Sequence, residues 1–346
     1  MLQFLKRALR KPRANVYGLD HAVLNIQLPP QTMWMNMGYW EHTNDFPEAC
    51  QALLDQVLTA ALSTERKSAV RILDIGCGCG DQSLYLTSLL KGSSTQSHPR
   101  AESGITASMK SYPDIKSTES SLRSRHGKSM QSAALPRLES YIGITIEPAQ
   151  ASLGAARLNR ENESSIPAKI FCADAAAPTS WAGELEKSTA TLAAQTGGTN
   201  ASTWLLALDT LYHFRPSRLP ILRYACNTLN ASFMAFDLIL CSSITWYDKI
   251  LLRLVCWGTN APFGNFISEK EYVDLLVEAG YDATQIEIRD ISKHVFGGLA
   301  GFIERRTGEA RPFGIGMGKY SVARVAFSWW AKGRVVKGVV VVAKRG

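Results

Sequence analysis

The chain alternates short runs of apolar or β-branched residues with loops and then with apolar residues at helical spacing, the rhythm of strands feeding helices. Residues 70–75 (VRILDI) predict a first strand that ends in a glycine cluster. Residues 81–90 follow as a helix, mostly apolar through Leu84, Leu86, Leu89 and Leu90. Residues 141–146 and 149–159 repeat the strand and helix pair, and further strands are predicted at 169–173, 204–208 and 233–240. Strands separated by helices in this order need crossover connections, which makes them parallel neighbours in one sheet.

Beyond residue 240 the pattern changes. Residues 244–256 set Ile250, Leu251, Leu254 and Val255 at helical spacing among Trp246, Tyr247 and Trp257, which suits either a lid over an apolar pocket or an ordinary buried helix pair. Ser268 and Glu271 make a capping box and Gly280 a C-terminal stop, delimiting a helix over 268–279. Residues 285–291 and 337–343 read as late strands. The expected whole is a Rossmann-like α/β fold: a seven-stranded, mostly parallel sheet with helices on both faces and an antiparallel edge strand near the C-terminus. Residues 1–67 are expected to form an N-terminal helical cap and lid, and residues 68–346 the main body with a substrate lid at 243–265.

Two stretches fit this scheme poorly. Residues 91–135 hold twelve serines and few large apolar groups, so 92–139 is predicted to be a disordered insertion that cannot bury enough to offset its ordering entropy. Residues 183–202 read as a second, milder insertion.

With 46% hydrophobic and 9% aromatic residues over 346 positions, the chain has enough apolar surface for a sizeable core, which excludes disorder throughout. The formal charge of +8 is concentrated at the ends: residues 1–13 carry five Lys or Arg and no acid, and residues 310–346 carry eight and no acid. The remaining body is acidic, which argues against a nucleic-acid groove. Seven cysteines with no CxxC pair point to free thiols in a reducing, cytoplasmic setting and give no metal site. The opening MLQFLKRALRKPR is basic and amphipathic without an unbroken apolar stretch, which argues against secretion. It leaves a mitochondrial presequence, a peripheral membrane-surface helix and a frayed terminus open. No run approaches the roughly 18–20 apolar residues of a spanning helix.

The chemistry starts at the loop LDIGCGCG, residues 73–80. Gly76, Gly78 and Gly80 around Cys77 leave room for a ligand to lie against the backbone, and Asp74 is placed to hold a cationic amine. The spacing GxGxG differs from the dinucleotide pattern GxGxxG, and Asp81 at the helix start disfavours a pyrophosphate. A phosphate-free nucleoside fits better.

In sequence order, VRILDIGCGCGDQSLYL, YIGITIEPAQ, FCADAAAP and ALDTLYHF resemble the four motifs of the class I S-adenosylmethionine-dependent methyltransferases. Together with MNMGYW upstream, the segment GITIEPAQ resembles the small-molecule subgroup that contains the tocopherol, sarcosine and phosphoethanolamine methyltransferases and the cyclopropane fatty acid synthases. The resemblance implies S-adenosylmethionine as cofactor, with Thr145 and Gln150 on the ribose side and Asp174 and Ala175 on the adenine. It implies an aromatic pair, Tyr39 and Trp40, closing over the methyl donor. Glu147 either reaches the ribose hydroxyls or caps the next helix. Asp209 lies either near the methionine end of the donor or in a structural role.

His213, beside Tyr212, is the histidine expected in the site, as the base or orienting group for an acceptor that holds a proton, or as a residue held there by structure alone. His21, His42, His98, His126 and His294 have no comparable context. Tyr39 and Tyr212 complete the candidate catalytic set. The apolar residues of 244–257 favour an apolar or amphiphilic small-molecule acceptor. The fourth-motif pattern of the cyclopropane synthases does not match ALDTLYHF, and DTLY stands where an NPPY-like tetrad marks methylation of adenine or amide nitrogen. The competing readings are a noncatalytic binding module on the same fold and an RNA or protein methyltransferase.

Overall fold

A computed structural model describes residues 28, 30–90, 135–161, 166–194, 200–259, 261–333 and 335–345. The first helix, α1 (Phe46–Leu62), starts where the Asp45 carboxylate accepts from Glu48 N–H, and it buries Leu53, Leu54, Val57 and Leu58 completely. These four belong to the same apolar cluster as Ile72, Trp204, Met234 and Phe236 of the sheet. α1 is therefore a layer of the central fold, where the sequence led us to expect a separate cap over 1–67. Residues 1–27 of that cap lie outside the described residues.

The strands follow as expected in place and order: β1 (Ala69–Ile75), β2 (Arg137–Thr145), β3 (Ala168–Cys172), β4 (Ala201–Leu208), β5 (Ser232–Leu240), β6 (Ile286–Asp290) and β7 (Val336–Ala343). β1 is buried at all seven positions, as a parallel strand covered on both faces must be. The sheet order is β3-β2-β1-β4-β5-β7-β6, with β1 to β5 parallel. β7 runs antiparallel to both β5 and β6. The reversed strand thus lies one place in from the edge, and β6 is the edge strand. The reason is apolar content: seven of the eight residues of β7 are buried, all but Lys337, whereas β6 has none buried.

Between the strands run α2 (Asp81–Leu89), α3 (Pro148–Glu161), α4 (Gly183–Ala194), α5 (Leu219–Arg223), α6 (Trp246–Thr259), α7 (Glu269–Ala279), α8 (Phe296–Ala310) and α9 (Lys319–Trp330). α7 has the capping box between Ser268 and Glu271 and the left-handed Gly280 that its sequence announces. Within 183–202, read as an insertion, Gly183–Ala194 form α4 and residues 201–202 open β4; Leu185, Thr189 and Leu192 bury one side of the helix at a spacing of three to four. The Ser-rich insertion falls mostly outside the described residues, but its far boundary moves, because Arg137, Leu138 and Glu139 open β2. α8 and α9 pack on each other and gather Phe296, Phe327 and Trp330 beside Phe266.

A buried ion pair braces the far side of the cleft. Arg218 donates to Asp237 in β5 and to the Asn265 carbonyl, and Tyr272 of α7 adds a hydrogen bond to Asp237 at 3.0 Å. Asn265 Nδ2 in turn donates to the carbonyls of Tyr212 and Phe214, at 3.2 and 2.6 Å. This chain of contacts fixes the loop that follows β4.

Candidate functional site

The chain runs from β1 outward through β2 and β3 and then returns to place β4 on the other side of β1. Where strand order reverses, the loops at the carboxyl ends of β1 and β4 part in opposite directions and open a crevice. A cleft of about 430 Å³ lies there. It is walled by the glycine loop after β1, by Thr145, Ile146 and Gln150 after β2, by Ala173 to Ala175 after β3, and by Leu208 to Thr210 and Tyr212 to Arg215 after β4. Its size is that of a small-ligand site.

The three glycines of the loop have separate tasks. At Gly76 (φ +81°) a Cβ would strike Thr210 Oγ1 at 2.5 Å, so this glycine lets the β1 and β4 loops meet. At Gly80 (φ +88°) a Cβ would sit 3.0 Å from Gly154 Cα in α3, so it serves helix packing and does not line the cleft. Gly78 (φ +59°) lines the cleft with open space where its Cβ would be. Cys77 and Cys79 also line it, and burial holds the Cys77 thiol well above its usual pKa, so it stays protonated.

Asp74 does not reach the cleft. Its carboxylate is fully buried, accepting from Gln82 Nε2 at 2.7 Å on each oxygen and from Tyr141 Oη at 2.6 Å. Burial pushes its pKa up to about 6 against the pull of those hydrogen bonds. The amine-binding role expected of Asp74 is therefore closed by its own partners, and Gln82, which sequence reasoning passed over, is the residue that faces the cleft. Asp81 is matched by Arg157, with contacts of 2.7 and 3.1 Å, so its charge no longer argues against a pyrophosphate; only the glycine spacing does.

Tyr39 and Trp40 are also outside the cleft. Trp40 is buried against Phe46 and Phe302 with its indole N–H on the Met37 carbonyl at 2.8 Å, and Tyr39 tilts against His294 with centroids 5.1 Å apart and donates to Glu41 at 2.5 Å. The residues of this segment that line the cleft are Met33, Trp34, Met35 and Asn36. The methionines and Trp34 in QTMWMNM were the available signal, five residues upstream of the pair that drew attention. Glu147 is exposed and does not line the cleft; its carbonyl accepts from Ala151 N–H at the start of α3.

The remaining candidates converge. Thr145 Oγ1 donates to Gln150 Oε1 at 2.9 Å, and Asp174 turns one oxygen to Ala176 N–H at 2.8 Å; all three of Thr145, Gln150 and Asp174 line the cleft with Ala175. Asp209 sits at φ +59°, a backbone region that Asp tolerates better than most residues. Its carboxylate accepts from Tyr212 Oη at 2.9 Å and from Met37 N–H at 2.8 Å, and burial raises its pKa to about 8. His213 lines the cleft with its ring tilted on Tyr212, centroids 4.2 Å apart, while the protein crowded around it disfavours the imidazolium and lowers its pKa. Among the described residues no cluster of His, Cys, Asp or Glu could hold a metal ion.

No known family profile and no curated protein sequence matches the chain. Solved structures do. A cyclopropane synthase from Mycobacterium tuberculosis superposes with a TM-score of 0.54 at 12% identity, over 90% of each chain. The fold is that of the S-adenosylmethionine-dependent methyltransferases. A geranyl diphosphate C-methyltransferase from Streptomyces coelicolor A3(2), solved with geranyl diphosphate and S-adenosylhomocysteine, matches at 0.50 and 10% identity over 95% of this chain and 97% of its own. A phosphoethanolamine N-methyltransferase from Haemonchus contortus, solved with phosphomonomethylethanolamine and S-adenosylhomocysteine, matches at 0.54 and 10% identity. The present chain covers 86% of itself in that superposition and 54% of the longer Haemonchus chain.

Proposed function

We propose that this chain is an S-adenosylmethionine-dependent methyltransferase that acts on a small apolar or amphiphilic acceptor. The observation that carries the reading is the cleft at the switch point, which Gly78, Thr145, Gln150 and Asp174 line together with Asp209, Tyr212 and His213. The residues fit such a donor: the open space over Gly78 admits a chain lying on the backbone, the hydroxyl and amide of Thr145 and Gln150 suit a ribose, and Asp174 with Ala175 suits an adenine edge. Bound there, the donor supplies an electrophilic methyl on a sulfonium, a leaving group good enough that positioning provides most of the acceleration.

The chain's own groups then have defined tasks. Asp209 offers a carboxylate whose ionisation a neighbouring cation favours, and Tyr212 and the Met37 amide hold it in place. Trp34, Met33 and Met35 give an apolar wall that keeps water away from the reacting atoms. His213, kept neutral by its surroundings, takes or orients the proton of an acceptor that carries one. None of the described residues of 243–265, expected as a substrate lid, lines the cleft, whose apolar lining includes Phe214 and Trp34.

Titration calorimetry with S-adenosylmethionine tests the donor, and transfer of a labelled methyl to a lipid or metabolite extract tests the acceptor. Binding with label in an organic-soluble product is expected. No heat at near-millimolar donor would favour a noncatalytic module, and label confined to RNA or protein would overturn the acceptor class.

A further inference from the structure

The surface feature that the proposed reaction does not absorb is α6. Trp246, Tyr247, Ile250, Leu251, Leu254 and Trp257 are all exposed, Trp257 at 86% and Leu254 at 60%. At roughly 100° per residue these six positions fall within an arc of about 140° on one side of the helix. The helix is seated on the body by a different side, through Leu252 and Cys256, both buried. Lys249 and Arg253 border the apolar arc on the flank between it and the seat, with Arg253 held over the Phe263 ring at 4.7 Å.

Basic surface lies next to the root of this helix. Cys241 N–H donates to the Val335 carbonyl at 3.0 Å and its thiol to the Gly333 carbonyl at 3.6 Å, which brings exposed Lys332 to the segment from which α6 springs. The C-terminal stretch 310–346 to which Lys332 belongs carries eight Lys or Arg and no acid. Asp248, on α6, is engaged by Thr245 Oγ1 at 2.7 Å, and Glu269 and Glu271 at the start of α7 are engaged by Lys337 and by their own helix cap. An exposed helix face of Trp, Tyr, Leu and Ile with Lys and Arg at its border has the composition of a helix lying in a lipid interface. Tryptophan and tyrosine prefer that depth because their rings are apolar with a polar edge.

We propose that α6 is a membrane-surface anchor that lays its apolar face into the interface of an anionic phospholipid bilayer. The anchor is joined to the cleft: the turn that follows α6 ends in Asn265, whose amide holds the Tyr212 and Phe214 carbonyls. Docking would therefore set the wall of the cleft close to a lipid surface. The proposal does not depend on the reaction proposed above.

Flotation of the full chain with vesicles of phosphatidylcholine and phosphatidylserine, about three to one, tests it. Binding is expected that falls with added salt, is weaker on pure phosphatidylcholine, and drops about 10-fold or more in the L254E/W257E variant. Because both side chains are exposed, the melting temperature of that variant should match the parent, and W257F should retain binding. Flotation of L254E/W257E equal to the parent would overturn the proposal. So would loss of binding on K6E/R7E/R10E with the α6 variant unaffected, or a lipid-free dimer that L254E/W257E dissociates, which would make a second copy the occupant.

Discussion

Gln82 Nε2 stands 2.7 Å from both carboxylate oxygens of Asp74, so the acid that ends β1 is satisfied within the protein and the glutamine is what the cleft meets. Two acids near the cleft, Asp74 and Asp209, hold their protons more tightly folded than unfolded, with pKa values raised by burial to about 6 and about 8. The contribution of each is full below the unfolded carboxylate value of about 3.9 and is lost as pH rises through the folded value. Stability should therefore decline between pH 5 and pH 8.5 by urea titration. Asp209→Asn should flatten the upper part of that decline, and an unchanged slope in the variant would refute the assignment to Asp209.

A cation bound beside Asp209 would lower its pKa and expel a proton. Donor binding near pH 7 is expected to release protons, read as a dependence of the calorimetric enthalpy on the ionisation heat of the buffer. Parent and Asp209→Asn giving the same dependence would remove Asp209 from the donor's surroundings.

The glycine loop predicts a separation of effects. Gly80→Ala forces a Cβ against Gly154 in addition to the cost of its positive φ, and is expected to lower stability by about 1–3 kcal/mol. At Gly78 a Cβ would meet no protein atom within 4 Å and would project into the cleft, so Gly78→Val should abolish donor binding, its loss of stability coming from the positive φ and not from a clash. Melting curves and calorimetry on the two variants distinguish the roles, and retained donor binding in Gly78→Val would show that the ligand does not approach this backbone.

Trp34 and Trp40 make a second contrast. Trp40 is buried among Phe46 and Phe302, and Trp40→Ala should cost about 3–5 kcal/mol of stability. Trp34 lines the cleft with its ring edge-on to Tyr85, and Trp34→Leu should keep the fold while weakening the donor by about 0.5–2 kcal/mol if its face meets the sulfonium. Equal donor affinity in parent and Trp34→Leu would place the sulfonium elsewhere.

His213→Ala is expected to lower turnover about 100-fold with donor affinity near the parent's, provided the acceptor yields a proton. Since the neutral imidazole is the working form and burial lowers its pKa, the acid side of the rate profile should fall off below the ordinary histidine value. Full activity in the variant would leave His213 a structural residue.

The order of strands and helices, the capping box of α7 and the glycine turn were legible in the sequence because each is set within one strand, one turn or one loop. Thr145, Gln150 and Asp174 were implied by the motif resemblance, which left Asp209 open between a donor contact and a structural role; all four line the cleft because they lie at or just beyond the carboxyl ends of parallel strands. Only the tertiary structure decided which aromatic of the N-terminal segment faces the cleft. Trp40 meets Phe302 and Tyr39 meets His294, partners more than 250 positions away that no local pattern announces. Tertiary contacts also decided Asp74, whose fate rests on Tyr141 across 67 positions, and β7, which entered the sheet between β5 and β6 because its apolar residues needed covering on both faces. α6 shows the same division: its apolar spacing was written in the chain, while the direction that its face points was settled by Leu252 and Cys256 seating the opposite side.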